Sequence, residues 1–165
     1  MTDDPLPRAI QTLLSPHGGG AGHRAERERA ATILVEHGEE GHAAVRAALA
    51  DASPAANLVP LIQLVPAFRR ADDVPMLAQV LRSADDPIAI VAAQALAVHP
   101  DGEALHALID ALDEPGDRAA YAAQALGQRG DPSAIEPLRA LAARADAAPF
   151  ARDCAREAAA QLSDT

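Results

Sequence analysis

Residues 124–141 read QALGQRGDPSAIEPLRAL, and two readings compete for them. Arg129-Gly130-Asp131 is the tripeptide that adhesion proteins present to integrins. The same letters also fit a joint between two helices. Ala and Leu recur at helical spacing from about Arg118 to Gln128. Gly130 then suits the left-handed conformation that ends a helix. Asp131 can cap the next helix by accepting a backbone N–H, and Pro132 fits a first turn that needs no N–H. Ile135, Leu138 and Ala142 follow on one face. The cap-plus-proline pair recurs at Asp86-Pro87, Ser53-Pro54 and Asp4-Pro5, which favours the joint.

The chain also repeats itself. Residues 92–112 (AAQALAVHPDGEALHALIDAL) align with residues 122–142 (AAQALGQRGDPSAIEPLRALA) at an offset of 30, so that Leu96 meets Leu126, Asp101 meets Asp131 and Leu108 meets Leu138. One unit earlier, Phe68, Asp73 and Leu77 take the same places at an offset of 28, and Leu34 and Val45 mark a looser unit before that. Each of these four units reads as helix, break, helix, turn. Unit two departs from the pattern because Pro60 and Pro66 enter its first helix, and Pro66 should kink or shorten it. Pro5–Leu14 has Leu6, Ile10, Leu13 and Leu14 spaced to cover one end. Pro149–Leu162 reads as the first helix of a fifth unit covering the other, with Cys154 as a small buried apolar residue.

These units resemble the HEAT-like repeat family, in the short subtype of about 30 residues found around bilin lyases. The match is strongest over residues 111–141 and extends more loosely over residues 24–162. It implies an all-α fold, a right-handed α-α superhelix (solenoid) of about four to five helix pairs. A capping helix and Gly-rich linker over residues 1–22 would precede a repeat domain over residues 23–165. The resemblance further implies that second helices line a concave side. By repeat register the polar positions there are Arg46, Gln79, Arg82, His106, Asp110, Glu136 and Arg139.

Composition agrees with helices and narrows the function classes. Hydrophobic residues make up 49% of the 165, aromatics only 2%, and Trp is absent, so Ala and Leu dominate where a strand-rich core would draw on β-branched and aromatic residues. Lys plus Arg number 14 against 24 Asp plus Glu, a net charge of −10. Nucleic acid needs a basic footprint and an anionic membrane attracts basic segments, so both are disfavoured as partners. The N-terminus MTDDPLPRAIQTLL carries no export pattern, and a single cysteine allows no intrachain disulfide. A reducing cytoplasmic location is expected.

The candidate chemistry has simpler explanations. His17–Gly20 (HGGG) matches an esterase oxyanion loop, but no serine lies on a G-x-S-x-G elbow, and a flexible linker accounts for it. His37 and His42 are five apart across a glycine-containing turn, the wrong spacing for two ligands on one helical face. A di-iron branch of the family carries His-Glu pairs, whereas no His here is followed by Glu. His106 and Asp110, four apart, can interact locally on a second helix. No cofactor or metal is expected.

Asp101, Glu103, Asp110, Asp113, Glu114 and Asp117 crowd one repeat. Those at helix starts suit capping, and Asp110, Asp113 and Glu114 form a candidate acidic patch for a basic partner segment. The expectation is a non-catalytic scaffold or adaptor that binds a protein partner on its concave face through those polar positions, itself a monomer or weak homo-oligomer. A bilin-lyase-like enzyme or lyase subunit is the alternative, and a nucleic-acid-binding HEAT-like protein stands behind that.

Overall fold

The computed structural model describes residues 4–15, 21–51, 57–83 and 86–164, and among them every regular element is helical. The His17–Gly20 and Ser53-Pro54 stretches lie outside the described residues. The chain divides into two compact units, residues 1–68 and 69–165.

The N-terminal unit contains α1 (Pro5–Leu14), α2 (Ala21–Glu36), α3 (Gly38–Ala50) and α4 (Val59–Leu64). The Asp4 carboxylate accepts the Leu6 N–H at 3.0 Å and Pro5 opens the first turn of α1, as expected. Leu6, Ala9 and Leu13 are its buried residues, while Ile10 and Leu14 are only half-buried. The expected stripe was too broad: α1 rests on α2, α3 and α4, and the small Ala9 permits a close approach that leaves its bulkier neighbours on the flanks. Arg27 of α2 reaches back and donates from Nη2 to the carbonyls of Leu13 (3.1 Å) and Ser15 (3.3 Å). A cation thus meets the negative end of α1.

Gly38, at φ 53°, turns the chain between α2 and α3. Gly41 packs directly on the Leu34 carbonyl, leaving no room for a Cβ. α4 stops after six residues and continues as a 3-10 turn over Val65–Phe68. Pro66 has no N–H to extend the α ladder, and the Val65 N–H turns to the nearer Ile62 carbonyl. The expected shortening is what occurs.

The C-terminal unit contains α5 (Val74–Ser83), α6 (Asp86–Val98), α7 (Glu103–Asp110), α8 (Arg118–Arg129), α9 (Ile135–Ala143) and α10 (Pro149–Ser163). The first helices form one layer, with α6 packed on α8 and α8 on α10. Their buried positions repeat every 30 residues: Ala89 and Ala119, Ala92 and Ala122, Ala93 and Ala123, Leu96 and Leu126. Alanine-lined faces present little side-chain bulk between the helices and so permit close packing.

The second helices repeat in the same register through Val74, Ala104 and Ala134, then Ala78, Leu108 and Leu138, then Leu81, Ala111 and Leu141. The offset of 28 read from Asp73 therefore becomes 30 for the packed positions of α5. Over residues 132–143 the buried stripe is Ala134, Leu138 and Leu141, with Ile135 and Ala142 half-buried. The chain enters α9 through a 3-10 turn over Pro132–Ala134. The same stripe stands one repeat earlier as Ala104, Leu108 and Ala111, so the packing register of the repeats sets it.

The joint over Arg129–Pro132 is built as the second reading required. Gly130 has φ 78° and donates its N–H to the Leu126 carbonyl at 3.2 Å. The Asp131 carboxylate accepts the Ser133 N–H at 3.0 Å and the Ser133 hydroxyl at 2.7 Å. Asp101 does the same for the Glu103 N–H at 2.8 Å one repeat earlier.

Arg129 itself is half-buried. Its Nη1 donates to the carbonyls of Leu96 (3.1 Å), Ala97 (3.3 Å) and His99 (2.9 Å), and its Nη2 to that of Asp101 (3.1 Å). This arginine ties the C-terminal end of α6 to α8 and is not displayed as an adhesive ligand would be.

The Ser133 hydroxyl and N–H, with help from the Arg129 charge, hold the Asp131 carboxyl below its ordinary value. A depressed folded-state pKa contributes stability above the unfolded value, which is lost as pH falls through the folded one. Unfolding free energy of this unit should therefore decline below about pH 4. In Asp131→Asn that decline should be shallower, as urea melts at stepped pH would report.

Candidate partner-binding face

α5 packs on α7, and the 3-10 turn that follows α7 (Ala111–Asp113) packs on α9. The outward positions of these second helices are the ones the repeat register singled out. Gln79 and Arg82 on α5, His106 and Asp110 on α7, and Glu136 and Arg139 on α9 are all exposed. Arg46 is half-buried on α3 of the N-terminal unit.

Several of these groups have partners that the sequence did not suggest. His106 Nδ1 lies 3.9 Å from Glu103 rather than beside Asp110. Both spacings are adjacent on a helix, and the i−3 carboxylate is the one within reach. Arg139 holds Glu136 at 2.8 Å and donates from Nη2 to the Ser163 hydroxyl at 3.5 Å.

The acidic patch is partly neutralised by arginines from adjacent repeats. Arg144 Nη1 binds Asp113 at 2.6 Å and its Nε lies 3.6 Å from Asp146. Arg82 Nε lies 3.9 Å from Glu114. These pairs join the ends of successive second helices into a charge ladder across three repeats. Exposed pairs of this kind contribute only about 0–1 kcal/mol each to stability, so their main effect is on surface potential. Asp110 stands out as the exposed carboxylate on this face with no ion pair among the described residues. The ladder was readable in principle, since each pair joins an acid to an arginine about one repeat away.

His42 is buried on α3 with its ring 5.2 Å from that of Phe68, while His37 sits at the start of that helix. Among the described residues no three His, Cys, Asp or Glu side chains group to hold a metal ion, and no helix is long and apolar enough to cross a membrane. Cys154 is buried, and Gln124 Nε2 donates to its sulfur at 3.4 Å. Burial pushes the thiol up from its ordinary value, which disfavours the reactive thiolate.

No curated protein matches the chain. The sequence profile of HEAT repeats matches residues 74–163, from the first residue of α5 to the last of α10. That match covers more than half of the 165 residues and coincides with the 30-residue packing register, so the chain belongs to the HEAT repeats family.

Proposed function

We propose that this protein is a non-catalytic scaffold or adaptor that binds a protein partner on the outward face of its second helices. The observation that carries the reading is the alignment of exposed polar residues over successive repeats: Gln79 and Arg82, then His106 and Asp110, then Glu136 and Arg139. HEAT repeats are commonly protein-interaction scaffolds. A repeat stack also offers a long rigid surface whose outward positions vary without disturbing the core.

The face carries mixed charge, with Asp110 as its available acid. A partner with a basic segment fits it, and such a segment would compete with Arg82 and Arg144 for the flanking carboxylates. Within this reading α1 closes the N-terminal end of the repeats. The protein acts as a monomer or weak homo-oligomer in the cytoplasm.

The test compares wild type with a variant carrying His106→Ala, Asp110→Lys, Glu136→Ala and Arg139→Ala. All four side chains are exposed, so the melting temperature should stay within a few degrees of wild type. Affinity capture from the native host should lose the specific co-eluting protein with the variant, by at least about tenfold in quantitative mass spectrometry. Equal capture by both would exclude this face.

A further inference from the structure

A groove of about 540 Å³ runs between α1 and α2 in the N-terminal unit. Its volume lies within the usual range for small-molecule sites. Ala9 and Ala30, both buried, form a small-residue floor, and Ile33 extends it. Arg8 from α1 and Arg29 from α2 line it from the two helices.

The five arginines of this unit are not used alike. Arg24 pairs with Glu28 at 2.9 Å, Arg27 donates to the end of α1, and Arg46 is engaged elsewhere. The guanidinium groups of Arg8 and Arg29 make no hydrogen bond or ion pair among the described residues. Both fall in the same groove. Of the two carboxylates nearby, Asp4 caps α1, and Glu26 lies 3.7 Å from His23, an ion pair only when that ring is protonated.

We propose that this groove binds a small dicarboxylate, with one carboxylate on Arg8, the other on Arg29, and the aliphatic spacer over Ala9, Ala30 and Ile33. A guanidinium presents a planar fork that matches a carboxylate bidentately. One such fork from each helix, in a groove that Ala9, Ala30 and Ile33 also line, suits two anionic ends and an apolar middle. Inorganic phosphate would satisfy one fork and leave the floor uncovered.

The experiment follows the arginine Nε–H signals of the full chain by ¹⁵N NMR as succinate is added. The Arg8 and Arg29 signals should shift and saturate, while those of Arg24 and Arg156 stay still. Arg8→Gln and Arg29→Gln should each weaken binding about tenfold with unchanged melting temperature, because both side chains are exposed. Glu26→Gln should tighten it by removing a competing carboxylate. A linear drift shared by all arginines would overturn the proposal, as would tighter binding of phosphate than of succinate or undiminished binding by both arginine variants.

Discussion

Replacing Arg129 by alanine is expected to destabilise the C-terminal unit by about 3 kcal/mol, lowering its melting temperature by on the order of 10–20 °C. One half-buried guanidinium serves four backbone carbonyls in the last turn of α6 and the loop that follows it, and its loss leaves them short of a charged donor. The positive charge also opposes the negative end of that helix. Arg129→Lys should fall between, because an ammonium cannot spread two nitrogens over four acceptors. Arg156→Ala is the control: its pair with Asp153 is 2.7 Å long but well exposed on both sides, and its loss should cost no more than about 0.5 kcal/mol. A melting temperature for Arg129→Ala equal to that of Arg156→Ala would show that the clamp does not couple the repeats.

Gly41→Ala should be comparably damaging to the N-terminal unit. Helix propensity alone favours alanine over glycine by roughly 0.5–1 kcal/mol. Packing opposes it, since the added Cβ would overlap the Leu34 carbonyl, which is backbone and cannot rotate away. Separating α2 from α3 to relieve the clash would expose Leu34 and Val45, both fully buried. A net loss of about 3 kcal/mol is expected, read as faster hydrogen exchange at the amides of α2 and α3. Gly38→Ala should also destabilise through its positive φ, yet nothing lies near its added Cβ, so the cost should be nearer 1 kcal/mol. Gly41→Ala as mild as Gly38→Ala would contradict the close approach.

The fold was legible where local chemistry and repetition agree. Gly130, Asp131 and Pro132 each have one strong backbone preference, and the three together specify a helix end followed by a helix start. Pro66 likewise cuts its helix through a missing N–H. Over residues 132–143, Leu138 is buried as expected, while Ala134 and Leu141 replace Ile135 and Ala142 because they take the places of Ala104 and Ala111 in the packing register. Side-chain reach was the least legible part. Arg129 finds carbonyls about 30 residues upstream, and at the corresponding place one repeat earlier stands His99, a buried ring whose Nδ1 accepts the Asp101 N–H at 3.2 Å. Repeat alignment therefore could not transfer the role.

The candidate face shows the same division. Exposure of the second-helix positions followed from the 30-residue register, because one stripe of each helix must be buried and the opposite stripe cannot be. The pairing of Asp113 with Arg144 and Glu114 with Arg82 required the stacking of repeats in space. Within one repeat the acids look like a patch. Across three repeats they alternate with arginines.

The central claim, that the second-helix face receives the partner, is tested most directly by site-specific photo-crosslinking in the native host. Benzoylphenylalanine is placed at His106 or Arg139 on second helices, and at Gln94 or Gln128, exposed on the first-helix layer. A discrete crosslinked product from His106 and Arg139, absent from Gln94 and Gln128, is the predicted result. Crosslinking from Gln94 and Gln128 with none from His106 and Arg139 would contradict it and move the interface to the first-helix layer.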